Sequence, residues 1–318
     1  MTEHLPSQTF IGVDVAKDDV VVATYGNSSS QTLENQSSSI KAWLKTLSPN
    51  TCIGLESTGS YHELLASLAY KAGVTVYLLN PRDVRHYAHA LGKRAKTDHV
   101  DALLLARFIA HEHAGLHSWQ PPTPEQRQLD CLLKRRATLV KAQGMMRQTL
   151  SYLPSLKAES KASMAAISDL LKAIDREIEQ ALAAQEAIKN KAACVQSIPG
   201  VGLLSGAALV NLFSRLPTAR ADAVVAFTGL DPRPCDSGKK RGTRRLSKRG
   251  PGELRRLLFN AAMSAAKTQV WRPIYERERA KGLPSTAALV CLARRLVRIA
   301  FSLFRKNALF DPKMISAA

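Results

Sequence analysis

The rhythm of apolar and polar positions changes twice along this chain. Over residues 9–25, TFIGVDVAKDDVVVATY, β-branched residues crowd on both sides of a polar Ala-Lys-Asp-Asp stretch, which predicts a β-hairpin. Short apolar runs at 52–56 and 74–79 predict strands, the second ending at Asn80-Pro81. Segments 39–47, 61–72 and 98–110 predict helices. Strands alternating with helices indicate an α/β domain. The alternation stops at Pro121-Pro122-Thr123-Pro124. Residues 125–191 are helical in character. Ile167, Leu171, Ile174, Ile178 and Leu182 recur at steps of three and four, as one face of a helix does. Leu129, Leu133, Val140 and Leu150 predict an earlier partner, with Pro154 near the turn between two long antiparallel helices. Their role is packing or dimerisation.

A third region opens near Ala192. Ile198-Pro199-Gly200-Val201-Gly202 separates two apolar helical stretches, in the manner of the hairpin of a helix-hairpin-helix unit. There Gly200 and Gly202 would let backbone N–H groups and a helix N-terminus approach a phosphate. A plain turn between helices fits the same residues. The fold class is therefore α/β plus all-α, divided at 1–122, 123–191 and 192–318.

Charge sharpens this picture. Among 318 residues, 45 Lys and Arg oppose 26 Asp and Glu, a net +19. Such an excess favours a polyanionic partner bound in a salt-sensitive way. The most apolar long stretch, 285–304, is interrupted by Arg294, Arg295 and Arg298 and reads as an amphipathic helix, so no membrane partner is expected. Residues 1–8 lack a basic start and an apolar run, so no secretory signal is seen. The five cysteines (52, 131, 194, 235 and 291) form no C-x-x-C pair, which favours reduced thiols in a cytoplasmic protein.

Four acids carry candidate chemistry. Asp14 interrupts the first apolar strand, where a carboxylate is costly unless paired or metal-bound. Glu56 ends a second apolar strand. Asp98 and Asp101, three apart at a helix start, share a face. Clustered carboxylates suit hard Mg²⁺ or Mn²⁺, and two such ions polarise a scissile phosphate and activate an attacking oxygen. Each acid also has an ordinary reading: the helix N-terminus favours Asp98 and Asp101, and Glu56 caps a turn.

Residues 233–256 hold ten Lys or Arg against Asp236 and Glu253. Within them Lys239, Lys240, Arg241, Arg244, Arg245, Lys248 and Arg249 are candidate phosphate contacts, although charge runs are commonly solvated surface. Ser237 lies beside Gly238, which permits close backbone approach. A serine hydroxyl becomes a nucleophile only when a base or metal activates it, and no histidine neighbours Ser237 in sequence. Ser247 is the rival. The paired histidines, 86 with 89 and 111 with 113, complete no zinc motif.

The motifs IGVDVAK (11–17), GLESTGSY (54–61), LLNP (78–81) and KTDHVDALLLARF (96–108) resemble the RuvC-like DEDD domain of the IS110 insertion-sequence transposases, the group that includes the Piv-type DNA invertases. SIPGVGLLSGAAL (197–209), FTGLDPRPCDSG (227–238) and RLSKRGPGELRRLL (245–258) resemble its C-terminal transposase domain. The resemblance spans both ends of the chain in the same order. It implies an RNase H-like fold whose acids Asp14, Glu56, Asp98 and Asp101 bind Mg²⁺. It places the essential serine, which forms a phosphoserine link to DNA, on Ser237. It further implies a bridge RNA that pairs with donor and target DNA, and a dimer that assembles into a tetramer. Two other classes share these residues: a RuvC-like endonuclease using water as nucleophile, and a non-catalytic nucleic-acid-binding protein.

Overall fold

The computed structural model describes residues 8–57, 59, 61–92, 97–216, 219–233, 237, 242 and 244–315. The chain divides into two compact units, Met1–Pro121 and Pro122–Ala318, the second including both long central helices.

The first unit is a mixed five-stranded sheet between two helical layers. Strands β1 (Thr9–Val15), β2 (Asp19–Thr24) and β3 (Ser30–Glu34) form an antiparallel meander. Strands β4 (Thr51–Glu56) and β5 (Thr75–Leu79) add to it in parallel, giving the order β3-β2-β1-β4-β5. An antiparallel meander whose first strand continues into a parallel half is the RNase H-like arrangement. Parity along each strand assigns its two faces. Ile11, Val13, Ile53 and Leu55 join one core with Ile40, Trp43 and Leu44 of α1 (Ser37–Leu44) and Leu65, Ala66 and Ala69 of α2 (His62–Lys71). The opposite face packs Cys52, Tyr77 and Leu79 against Val84 of α3 (Pro81–Ala90) and Leu104, Leu105 and Ile109 of α4 (Asp98–Glu112).

Two elements escape the apolar pattern. β3 is a polar edge strand, four of its five residues exposed, so it carries no alternation to read. α3 begins at Pro81, where the sequence reads as a stop. Pro81 occupies the first helical turn, and Asn80 caps it by accepting from the Arg82 N–H at 2.9 Å.

Among its described residues the second unit is mainly helical, with one ladder of two residues on each side. α5 (Pro124–Leu150) starts in a Thr123–Gln126 capping box and pairs with α6 (Lys157–Ala183). Gln143 donates to Ser168 at 3.0 Å, and Arg136 holds Asp175 in a two-pronged ion pair, so the two helices run antiparallel. α7 (Glu186–Gln196), α8 (Leu203–Ser214), α9 (Ala221–Thr228), α10 (Gly252–Ala265) and α11 (Arg272–Ala280) surround α12 (Ser285–Lys306). Leu292, Leu296, Val297 and Ala300 of α12 are fully buried, and Phe213 meets the rings of Phe301 and Phe304 edge-on at 5.1 and 5.4 Å. Among the described residues no helix is long and apolar enough to cross a membrane.

Candidate active site and nucleic-acid surface

Strand register, parity and the direction of α4 bear on where the acids lie. Strands β1 and β4 pair with a constant offset of 42, from Thr9 opposite Thr51 to Val13 opposite Leu55. The same offset sets Asp14 opposite Glu56 (56 − 14 = 42), on strands about 4.8 Å apart. Parity then puts both carboxylates on the α4 side, since Ile11, Val13, Ile53 and Leu55 face the other layer.

The direction of α4 brings its first turn to the same end. Phe10 stacks on His113 with ring centroids 4.7 Å apart. Two residues on, a Cβ at Gly12 would fall 2.0 Å from the Ala102 carbonyl oxygen and 2.1 Å from the Ala106 amide nitrogen. Later residues of β1 therefore meet earlier residues of α4, so the next position on that face, Asp14, lies toward the end of α4 that carries Asp98 and Asp101. Gly12 sits opposite Gly54, whose own Cβ would fall 2.6 Å from Ile109 Cγ2. This glycine pair lets the helix lie directly on the sheet. Thr97 caps α4, accepting from the Val100 N–H at 3.3 Å, and Asp98 and Asp101 complement the helix dipole.

Asp14, Glu56 and Asp101 are half-buried and Asp98 is exposed. The acids share one end of the sheet without closing into a cage: among the described residues no three His, Cys, Asp or Glu side chains are grouped to hold an ion. The donor set is nonetheless all carboxylate oxygen, which suits a hard divalent cation.

The serines of the second unit differ sharply. Ser247 is 4% exposed, and its hydroxyl donates to Asp231. Its own N–H donates to the Asp231 carbonyl at 3.0 Å. Around it β6 (Pro232–Arg233) pairs with β7 (Arg245–Leu246), and the Lys248 N–H reaches the Gly229 carbonyl at 3.1 Å. Gly250 fits because a Cβ there would lie 2.0 Å from the Phe227 carbonyl oxygen. These contacts make a closed base, and in sequence the segment 234–244 lies between its two strands. Ser237, within that segment, is exposed.

Of the basic candidates, Arg244, Arg245, Lys248 and Arg249 are exposed at this base, and Lys248 adopts a left-handed backbone with φ of 53°. Lys239, Lys240 and Arg241 lie outside the described residues. Gly200 has a packing reason of its own. Its φ is 96°, and a Cβ there would fall 2.5 Å from the Ala265 amide nitrogen in α10. Gly202 precedes α8, exposed and with open space where its Cβ would be.

The two units also separate the charge. Residues 1–121 contain 10 Lys or Arg and 11 Asp or Glu, a net −1. Residues 122–318 contain 35 and 15, a net +20, which sums to the chain's +19.

Two family models match the chain in order, a DEDD-type IS110 transposase domain over residues 11–153 and a transposase domain of the IS116/IS110/IS902 family over residues 192–276. This chain belongs to the IS110 family of transposases. It is a DNA transposase, an enzyme of strand recombination. The transposase is 28% identical over 326 residues to the pilin gene-inverting protein of Moraxella lacunata, covering 97% of this chain and 99% of that one. It is 24% identical to the transposase for insertion sequence element IS1328 of Yersinia enterocolitica, covering 96% and 100%. A solved T. thermophilus RuvC in complex with Holliday junction substrate is similar at 12% identity and a TM-score of 0.28, over 36% of this chain and all of that one. Asp14, Glu56, Asp98 and Asp101 fall within the first matched region, and Ser237 within the second.

Proposed function

We propose that this transposase cuts and rejoins DNA through a covalent phosphoserine on Ser237, assisted by Asp14, Glu56, Asp98 and Asp101 with Mg²⁺ or Mn²⁺. In the cutting step the Ser237 hydroxyl gives up its proton and bonds to phosphorus, and one DNA ester oxygen leaves as a hydroxyl. An incoming DNA hydroxyl reverses the exchange, so the phosphodiester energy is kept and rejoining needs no ATP. The four carboxylates would hold the metal, which when bound supplies Lewis-acid help to the phosphate.

The observation that carries this reading is the separation of charge from acids. A basic excess in the acid-bearing unit would help a free-standing, water-using nuclease attract DNA. Here the acid-bearing unit has a net charge of −1, and the entire basic excess belongs to the unit that carries Ser237. Substrate is thus gathered by one unit and processed with the acids of the other. We place the meeting of the two across protomers, in a dimer that assembles into a tetramer on donor and target DNA. The unassembled protein then holds acids without a nucleophile. Sequence choice falls to an element-encoded bridge RNA, which leaves the protein to bind backbone and shape. Family membership and the basic excess of the second unit support this part of the reading.

Denaturing electrophoresis with labelled DNA, guide RNA and Mg²⁺ tests it. The parent should give a protein–DNA band, and Ser237→Ala should bind both nucleic acids but give none. A persisting band in Ser237→Ala puts the nucleophile on another side chain, whereas efficient cutting by the parent without any adduct makes the water-using endonuclease the correct reading.

A further inference from the structure

The end of the sheet that carries the acids is tied together by a side chain absent from the candidate chemistry. Asn35 follows β3, and its N–H donates to the Asp18 carbonyl at 2.8 Å. Its side-chain amide then reaches across the β1–β2 turn. Nδ2 donates to the Ala16 carbonyl at 2.9 Å, with longer contacts to the carbonyls of Lys17 at 3.4 Å and Tyr61 at 3.5 Å. Ala16 is two residues beyond Asp14, and Tyr61 is five beyond Glu56. One amide thereby links the exits of the two parallel strands, β1 ending one residue past Asp14 and β4 ending at Glu56. Three carbonyl partners also fix the orientation of the amide, with nitrogen toward the turn.

The other end of the amide is equally informative. Asn35 Oδ1 is buried and has no hydrogen-bond partner among the described residues. A buried unpaired acceptor is unfavourable and rare in a purely structural role. The His62 Nδ1, at the first residue of α2 just beyond Tyr61, is likewise buried without a partner among the described residues. Both atoms belong to segments joined by the Asn35 amide, the residue after β3 and the start of α2.

We propose that Asn35 is a positioning residue of the acidic site, holding the exits of β1 and β4 so that Asp14 and Glu56 stay side by side. This rests on the assignment of those acids to the reaction. Catalytic geometry is sensitive on this scale: a displacement of about 1 Å costs on the order of 100-fold in rate.

The test uses the full chain with guide RNA and DNA, comparing Asn35→Ala and the isosteric Asn35→Asp with Thr51→Val. Thr51 is buried at the opposite end of β4 and donates to the Ser48 carbonyl at 2.8 Å, so its loss removes a comparable bond away from the acids. Single-turnover adduct formation, DNA affinity, thermal unfolding and Mn²⁺ binding by electron paramagnetic resonance are measured for each. Both Asn35 variants should lose about 100-fold in rate with DNA affinity unchanged, and should bind Mn²⁺ about tenfold more weakly. Thr51→Val should retain rate and Mn²⁺ affinity. Asn35 variants within threefold of the parent, or rate and Mn²⁺ losses equal to those of Thr51→Val, overturn the proposal. Asp14→Asn and Glu56→Gln separate the levels. If these are inactive while the Asn35 variants are active, only the clamp fails; if these are fully active, the acidic site itself fails.

Discussion

Gly12→Ala tests the geometry on which the acidic site depends. The added methyl would sit 2.0 Å from the Ala102 carbonyl oxygen and 2.1 Å from the Ala106 amide nitrogen, both backbone atoms of α4. Ordinary contact begins at 3.4 Å, so helix and strand must separate by about 1.4 Å (3.4 − 2.0). No side-chain rotation relieves a clash with backbone, so the cost belongs at the upper end for overpacking, about 3 kcal/mol. For a unit of this size that lowers the unfolding temperature on the order of 10 °C. The same shift carries Asp98 and Asp101 away from Asp14, and a displacement of this order removes roughly 100-fold of activity in the molecules that remain folded. Gly54→Ala is the internal comparison. Its methyl meets the Ile109 side chain at 2.6 Å rather than backbone, so it should cost less. Thermal unfolding and single-turnover adduct formation read both effects. If Gly12→Ala unfolds within 2 °C of the parent, α4 does not lie on β1 as described, and the approach of its first turn to Asp14 fails with it.

Ser247→Ala should act on stability rather than chemistry: it removes the donor to Asp231, costing about 1–3 kcal/mol, while adduct formation persists in the folded fraction. A Ser247→Ala protein of parental stability that forms no adduct would reverse the roles assigned to the two serines. Replacing Arg244, Arg245 and Lys248 together by Ala should flatten the dependence of log DNA affinity on log salt by roughly 2–3, at about 0.9 for each lost phosphate contact. An unchanged slope would mean that other cations of the second unit carry the DNA. Burial raises the pKa of the Cys52 thiol, so it should resist iodoacetamide at pH 8 while the exposed Cys131 is labelled, and faster labelling of Cys52 would contradict its place in the core between β4 and α4.

Much of this protein is determined locally and so was legible in the chain. β-branched runs with period two formed strands, steps of three and four formed the long helices, and Asp14 stood out because a carboxylate inside an apolar strand needs a reason. The net charge of +19 also follows from composition alone. Other features depend on partners distant in sequence. The pairing of β1 with β4 sets Asp14 opposite Glu56, and a slip of one residue would have sent one of them to the opposite face. The direction of α4 rests on two glycines, 12 and 54, that read as ordinary strand residues until a helix is laid on them. Ser237 and Ser247 are both serines in basic loops; the family resemblance singles out Ser237, and in the fold burial and the bond to Asp231 set Ser247 apart. Asn35 left no signal at all, because an asparagine after a polar edge strand looks like a turn residue. Local pattern decides which elements form, since it reflects each residue's own preference for burial; register, close approach and hydrogen bonds across the sheet decide what those elements bring together, and these exist only after the chain has folded.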